Sequence, residues 1–366
     1  MGAGVTNPPF FAEHDVSVYL GNAFAVLPML AAGSVNCVVT SPPYYGLRDY
    51  EVDGQLGLES TPMEYIGKLR ALFREVRRVL RDDGVLWLNL GDSYNAYNGN
   101  RGESPTGFSR NEPMPDLPPG AGLTVKGLPA KNMLGIPWRV ALALQDDGWV
   151  LRNDVIWNKP NAMPESVTDR LACRHEHLFL FSKQQRYWFD LDPVRVPLSY
   201  PELADGSRVF GGVNKGSEAG VDSTARRRGG KGWGAVPDEM APSDRAASRR
   251  ARKPQDGWKP NSAKGEWDAG QELKGRNPGD VWTIPTTPYP GAHYATFPPE
   301  LPRRCILAGC PQGGVVLDPF AGSGTTLMVA KKLLRRSIGI ELSPKSCDLI
   351  VERIGQPAFD FGEVTA

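Results

Sequence analysis

Val315-Val316-Leu317-Asp318-Pro319-Phe320-Ala321-Gly322-Ser323-Gly324-Thr325 decides the fold class of this chain. Val315–Asp318 reads as a buried strand, the glycines mark a tight turn, and Thr325–Leu334 has helical spacing. The next run, Ser337–Leu342, is again a strand and carries Glu341 near its tip. Strand, glycine turn, helix and strand in that order form the local signature of a nucleotide-type site in a parallel α/β sheet. Glycine lets the backbone approach a ligand, and the first turn of a helix offers unpaired N–H groups to a carboxylate or phosphate. Glu341 falls where such a site sets an acid against ribose hydroxyls. The loop lacks G-x-G-x-x-G, which argues against a nicotinamide enzyme.

Working outward, the same alternation fills the first ninety or so residues. Val16–Leu20 and Val35–Thr40 read as strands, and Ala23–Leu30 has helical spacing. An amphipathic helix is predicted from Met63 to Leu80, with Ile66, Leu69, Leu72, Phe73, Val76 and Leu80 on its apolar face. Asp82-Asp83-Gly84 is predicted to turn the chain into a strand over Val85–Leu90. Further on, Pro137–Gln145 reads as a helix, and Trp149–Trp157 and His177–Ser182 as strands. The expected fold is a doubly wound, mostly parallel, Rossmann-like α/β sheet covered on both faces. Two stretches rich in Gly, Pro, Ser and Asn, Ser93–Lys131 and Pro201–Gly279, interrupt the pattern.

At 366 residues the chain is long enough for a full core. With 42 Lys+Arg against 41 Asp+Glu the net charge is +1, so any basic surface must be local. The five cysteines (Cys37, Cys173, Cys305, Cys310, Cys347) form no C-x-x-C pair, which argues against a disulfide framework or a zinc site. Cys173-Arg-His175-Glu-His177 suggests a metal site at first sight, but alternate residues entering a strand lack a third ligand, and no metal is expected. No basic-then-apolar leader and no run of membrane-spanning length is present, so a cytoplasmic protein of a reducing compartment is expected.

Ser41-Pro42-Pro43-Tyr44 follows the strand Val35–Thr40. A serine hydroxyl and a carbonyl on a Pro-Pro backbone, which has no N–H to compete, place two acceptors side by side. A tyrosine ring beside them offers a stacking face. Taken alone the tetrapeptide reads as a strand terminator; paired with the Asp318 loop it gains chemical meaning. Ser-Pro-Pro-Tyr is one form of the pattern [D/N/S]-P-P-[Y/F/W], and together with Asp318-Pro319-Phe320-Ala321-Gly322-Ser323-Gly324 it resembles the paired motifs of DNA amino-methyltransferases. The tetrapeptide precedes the cofactor loop, an order similar to the circularly permuted β-group of that family. His293-Tyr-Ala-Thr-Phe-Pro-Pro-Glu-Leu301, Trp157-Asn-Lys-Pro-Asn-Ala-Met-Pro-Glu-Ser166 and Gly135-Ile-Pro-Trp-Arg139 resemble further blocks of the same enzymes. The likeness covers most of the chain except Ser93–Lys126 and Pro201–Gly279.

The resemblance implies S-adenosylmethionine as cofactor, held by Thr296, Phe297, Asp318, Phe320, Ala321, Gly322, Gly324 and Glu341. It implies a catalytic motif of Ser41, Pro42, Pro43 and Tyr44, in which Ser41 and Pro42 grip an exocyclic amine while Tyr44 stacks on a base flipped out of double-stranded DNA. Serine at the first motif position goes mostly with cytosine N4 and aspartate mainly with adenine N6. Cytosine N4 is therefore the expected target and adenine N6 the alternative. Cys310-Pro311 reverses the order used by C5-cytosine enzymes, so Cys310 is read as structural.

Along the chain this divides into a catalytic half (1–92), a flexible loop (93–130), a continuation (131–200), an insertion (201–279) and a cofactor half (280–366). In the insertion Arg226, Arg227, Arg228, Arg249, Arg250 and Lys253 have the chemistry for phosphates and guanine edges. A target-recognition region and a solvated linker both stand as readings of it. Asp256 and Glu272-Leu-Lys274 have a nuclease-like spacing but no alternating apolar strand around them, and a fused nuclease is not expected. A separately encoded restriction endonuclease, no membrane association, and a monomer or homodimer complete the expectation. An RNA or protein methyltransferase would keep the same loop. A catalytically silent DNA-binding relative would have lost cofactor binding, yet Asp318, the glycines and Glu341 are intact.

Overall fold

Strands β1 (Phe11–Glu13), β2 (Val16–Leu20), β3 (Val35–Thr40), β4 (Leu80–Leu90), β5 (Val150–Asn158), β6 (His175–Ser182), β7 (Val281–Thr283), β8 (Val315–Asp318) and β9 (Arg336–Glu341) form one sheet in the computed structural model. Their spatial order is β1-β2-β9-β8-β3-β4-β6-β5-β7, with β1 and β6 running against the others. The structure describes residues 8–13, 15–47, 52–95, 125, 127–197, 275–286 and 298–355. The sheet belongs to the unit formed by residues 1–196 and 277–366.

Six α-helices among the described residues accompany the sheet: α1 (Ala23–Val26), α2 (Pro62–Val79), α3 (Ile136–Asp146), α4 (Glu300–Gly309), α5 (Thr325–Lys332) and α6 (Pro344–Gly355). Helix α2 starts where sequence chemistry says it should. The Thr61 side chain accepts from the Glu64 N–H, Pro62 sits in the first turn, and Glu64 reaches back to the N–H and hydroxyl of Ser60. Its buried residues Tyr65, Ile66, Leu69, Leu72, Phe73, Val76 and Val79 recur at the three- and four-residue spacing of one face. Burying each contributes about 2 kcal/mol of transfer free energy.

β3 shows why the central strands read as continuous apolar runs. Val38 joins the core cluster beneath α2 and α3, while Cys37 and Val39 join the opposite cluster with Leu301, Cys305 and Ile306 of α4 and Val329 and Ala330 of α5. Both faces of the strand are dry, so no polar alternation is left. A third cluster joins Val16 and Val18 of β2 to Leu327 of α5 and Cys347, Ile350 and Ile354 of α6.

The turn expected at Asp82-Asp83-Gly84 is absent. β4 begins at Leu80, directly after α2, and these residues bulge from it: Val35 of β3 pairs with Leu80 and Cys37 with Val85. The extra residues relieve the change from helix to strand without leaving the sheet. Strands β1 and β7 and helices α4 and α6 were not anticipated from periodicity; three-residue strands are too short to show a period.

From β8 the chain crosses through α5 to β9 on one side, and from β3 it crosses through α2 to β4 on the other. The direction of winding therefore reverses between β3 and β8. Ligands of open α/β sheets bind outside the carboxyl ends of the strands at such a reversal.

Candidate active site

Asp318 ends β8 and Thr40 ends β3, and the two side chains meet: Thr40 Oγ1 donates to Asp318 Oδ1 at 2.7 Å. Thr326 Oγ1 of α5 donates to Asp318 Oδ2 at 2.7 Å, and the Phe320 N–H donates to Oδ1 at 3.1 Å. The carboxylate is 2% exposed, and burial pushes its pKa up to about 6 against the pull of these hydrogen bonds. One buried acid thus ties together the ends of β3 and β8, the loop that leaves β8 and the helix that follows it.

The loop closes on Glu341. Its Oε2 accepts the Gly322 N–H at 2.8 Å and its Oε1 accepts the Ser343 N–H at 2.8 Å, while Ala321 N–H bonds the Ile340 carbonyl at 2.9 Å. Burial raises the Glu341 pKa. Gly324 precedes α5 with φ +76°, and a Cβ there would come within 2.9 Å of Ile350 Cγ1. Both the handedness and the space demand glycine. Arg353 of α6 holds the loop from behind, donating to Ser323 Oγ at 2.8 Å.

Beyond β3, Ser41-Pro42-Pro43-Tyr44 leaves the sheet beside this loop. The Pro43 carbonyl accepts from Tyr65 Oη of α2 at 2.8 Å, whereas among the described residues the Pro42 carbonyl accepts no hydrogen bond. Ser41 Oγ donates to Tyr44 Oη at 3.2 Å, and Tyr44 Oη lies 2.7 Å from Glu176 Oε2 and 3.2 Å from Asn89 Oδ1. The Tyr44 ring is close against Gly91, where a Cβ would fall 2.6 Å from Tyr44 Cε2. Burial first, then the neighbouring Glu176 carboxylate, hold the Tyr44 phenol well above its ordinary pKa, so it stays a protonated donor.

Glu176 Oε1 pairs with the Lys159 ammonium, whose Nζ also lies 4.3 Å from the centre of the Trp157 ring. Asn89 Nδ2 donates to the His177 carbonyl at 3.1 Å. Asp92, just past β4, accepts the N–H groups of Gly135 and Ile136 at 3.0 Å each and so seats the start of α3. Cys310 is fully buried and its thiol is pushed up to about 12, which leaves it no thiolate character at neutral pH. His177 shares its Nδ1 with Asp154 at 3.0 Å and stacks on Phe179.

The structure brings Ser41, Pro42, Pro43 and Tyr44 to one side of the crevice and Asp318, Phe320, Ala321, Gly322, Gly324 and Glu341 to the other. Thr296 and Phe297 lie outside the described residues, as do Arg226, Arg227, Arg228, Arg249, Arg250 and Lys253. Periodicity and motif reading gave no role to Thr40, at the head of the Ser41–Tyr44 stretch, and did not single out Thr326, Asn89, Lys159, Glu176 or Asp92. Two signals were nevertheless present: Lys159 stands in the Trp157–Ser166 block, and Glu176 stands between the two histidines weighed as metal ligands.

The family model for DNA methylases of the N6/N4 methyltransferase group matches residues 35–352. Type II methyltransferase M.XycI of Xanthomonas campestris pv. cyanopsidis is 40% identical over 338 residues, covering 92% of this chain and 87% of that protein. Type II methyltransferase M.Cfr9I of Citrobacter freundii is 39% identical over 345 residues, covering 93% and 88%. Among solved structures, the cytosine-N4-specific PvuII DNA methyltransferase shares the fold with a TM-score of 0.57 at 18% identity, over 96% of this chain and 90% of that one.

Proposed function

The chain belongs to the DNA methylase family of N6/N4 methyltransferases, and from that premise we propose that it moves a methyl group from S-adenosylmethionine to the N4 amine of cytosine at a specific site in duplex DNA. The observation that carries this reading is the Thr40–Asp318 bond, which sets Ser41-Pro42-Pro43-Tyr44 beside the glycine loop at the carboxyl ends of β3 and β8.

The residues fit the cofactor. Glu341 accepts the Gly322 N–H on one oxygen and the Ser343 N–H on the other, and the carboxylate retains acceptor capacity for a ribose hydroxyl. Asp318, with both oxygens satisfied inside the protein, shapes the loop. When bound, S-adenosylmethionine supplies a methyl group on a positively charged sulfur. Ser41 Oγ and the Pro42 carbonyl accept the two hydrogens of the target amine. That draws the nitrogen lone pair out of conjugation with the ring and aims it along one line. The Tyr44 ring is the stacking surface for a base turned out of the helix. Support for cytosine over adenine comes from Ser41, an uncharged acceptor at the first motif position.

Duplex DNA is the partner, the cytoplasm the place of action, and a separately encoded restriction endonuclease of the same specificity the counterpart. The test is nucleoside mass spectrometry, with standards separating the isomeric methylcytosines, on DNA from cells expressing the wild type or Ser41→Ala. N4-methylcytosine that falls sharply in the variant is the expected result. N6-methyladenine in its place would keep the mechanism and overturn the base.

A further inference from the structure

Tyr44 is the middle of a hydrogen-bond chain that runs from Ser41 to Lys159, and the chemistry of its members fixes its direction. An ionised carboxylate has acceptors and no hydrogen. Glu176 engages the Lys159 ammonium through Oε1 and Tyr44 Oη through Oε2 at 2.7 Å. Asn89, whose amide nitrogen donates to the His177 carbonyl, turns its oxygen toward Tyr44 Oη at 3.2 Å. Both neighbours beyond Tyr44 are therefore acceptors, and the single phenol hydrogen leaves in their direction. Among the described residues the one donor to Tyr44 Oη is then the Ser41 hydroxyl, 3.2 Å away. Its hydrogen is used there, and what Ser41 Oγ has left is lone pairs.

We propose that the Lys159–Glu176 ion pair, acting through Tyr44, holds Ser41 as a hydrogen-bond acceptor toward the flipped base and so selects an exocyclic amine over an exocyclic carbonyl. Cytosine and adenine carry amine donors where uracil and hypoxanthine carry carbonyl acceptors of nearly the same size. A hydroxyl free to rotate satisfies either; one whose hydrogen is committed elsewhere satisfies the amine and repels the carbonyl. Lys159, just past the end of β5, and Glu176 of β6 act here as positioning residues, without touching the base. The inference rests on Ser41 meeting the target amine, as proposed above.

The test uses the full chain and duplexes carrying the methylated sequence mapped from cells, with S-adenosylhomocysteine present. Dissociation constants are compared for cytosine and uracil at the target position, or for adenine and hypoxanthine if adenine is the base modified. The opposing base is kept the same, so easier flipping of a mismatch cancels when variants are compared. Glu176→Gln keeps the shape but offers Tyr44 an amide hydrogen, because its oxygen is drawn to Lys159. Tyr44→Phe keeps the ring and removes the hydroxyl, which is the acceptor of the Ser41 hydrogen and the donor to Glu176 and Asn89. In both, the preference for the amine duplex is expected to fall roughly tenfold relative to the wild type.

A merely structural ion pair would lower both affinities together and leave their ratio alone. An unchanged ratio in Tyr44→Phe, which loses a single oxygen atom and keeps the fold, overturns the proposal, whatever Glu176→Gln does. Ser41→Ala separates the two levels of the argument. If it changes neither the ratio nor methylation in the otherwise wild-type chain, the role of Ser41 fails. If it changes both while Tyr44→Phe and Glu176→Gln change nothing, only the directed chain fails.

Discussion

Replacing Asp318 by Asn tests how the centre of the crevice is held. In the wild type the carboxyl is pushed from its ordinary value of 3.8 up to about 6, chiefly by burial. At about 1.36 kcal/mol for each pH unit of that gap, ionisation inside the fold costs about 3 kcal/mol more than in the unfolded chain. The sign follows from linkage. Between pH 4 and 6 the native state binds more protons than the unfolded state, so this group's contribution is favourable at low pH and is lost as pH rises through about 6.

Asparagine removes the charge and keeps the shape. Its oxygen can accept from Thr40 and Phe320, which both bond Oδ1 in the wild type, while its amide nitrogen faces Thr326 Oγ1. The Thr326 hydroxyl then has the Val39 carbonyl, 3.5 Å away, for its own hydrogen. Urea unfolding of both proteins at several values from pH 4 to pH 7 gives the stability difference at each. Asp318→Asn is expected to gain on the wild type as pH rises, by up to about 3 kcal/mol across the whole titration. Asp318→Ala strands three donors and is expected to lose about 3 kcal/mol or more throughout. A difference between wild type and Asp318→Asn that does not vary with pH would refute the burial argument.

Gly324→Ala forces a side chain into the left-handed region and against Ile350; a loss of about 2 kcal/mol in chemical denaturation is expected. Glu341→Ala removes the acceptor of the Gly322 and Ser343 N–H groups and the candidate ribose ligand. Isothermal titration is expected to show S-adenosylmethionine binding weakened by roughly a hundredfold. Asp92→Ala leaves the Gly135 and Ile136 N–H groups at the start of α3 without their acceptor, and the unfolding midpoint should fall in line with a loss of about 1–2 kcal/mol.

The two halves of the site were legible because each is local. Val315 to Glu341 contains its own strand, turn, helix and acid within one crossover, so spacing alone places Glu341 opposite Gly322. Ser41-Pro42-Pro43-Tyr44 is likewise a continuous stretch whose acceptors are visible in the letters. Long helices such as α2 announce themselves by periodicity over several turns, whereas the three residues of β1 or β7 contain too little pattern to be seen.

What the chain alone determined was the chemistry available: a glycine loop, an acid at the tip of the next strand, and a serine hydroxyl beside a Pro-Pro carbonyl. Only the tertiary structure decided which of these meet and which bystanders serve them. Thr40 and Asp318 are separated by 278 positions in sequence and become neighbours because β3 and β8 pair in parallel. Glu176 and Tyr44, 132 positions apart, meet because β4 carries β6 antiparallel along its edge, bringing Asn89 opposite Leu178 and Leu90 opposite His177. Such partners follow no spacing rule, since sheet register is set by packing on both faces and by the crossovers between strands.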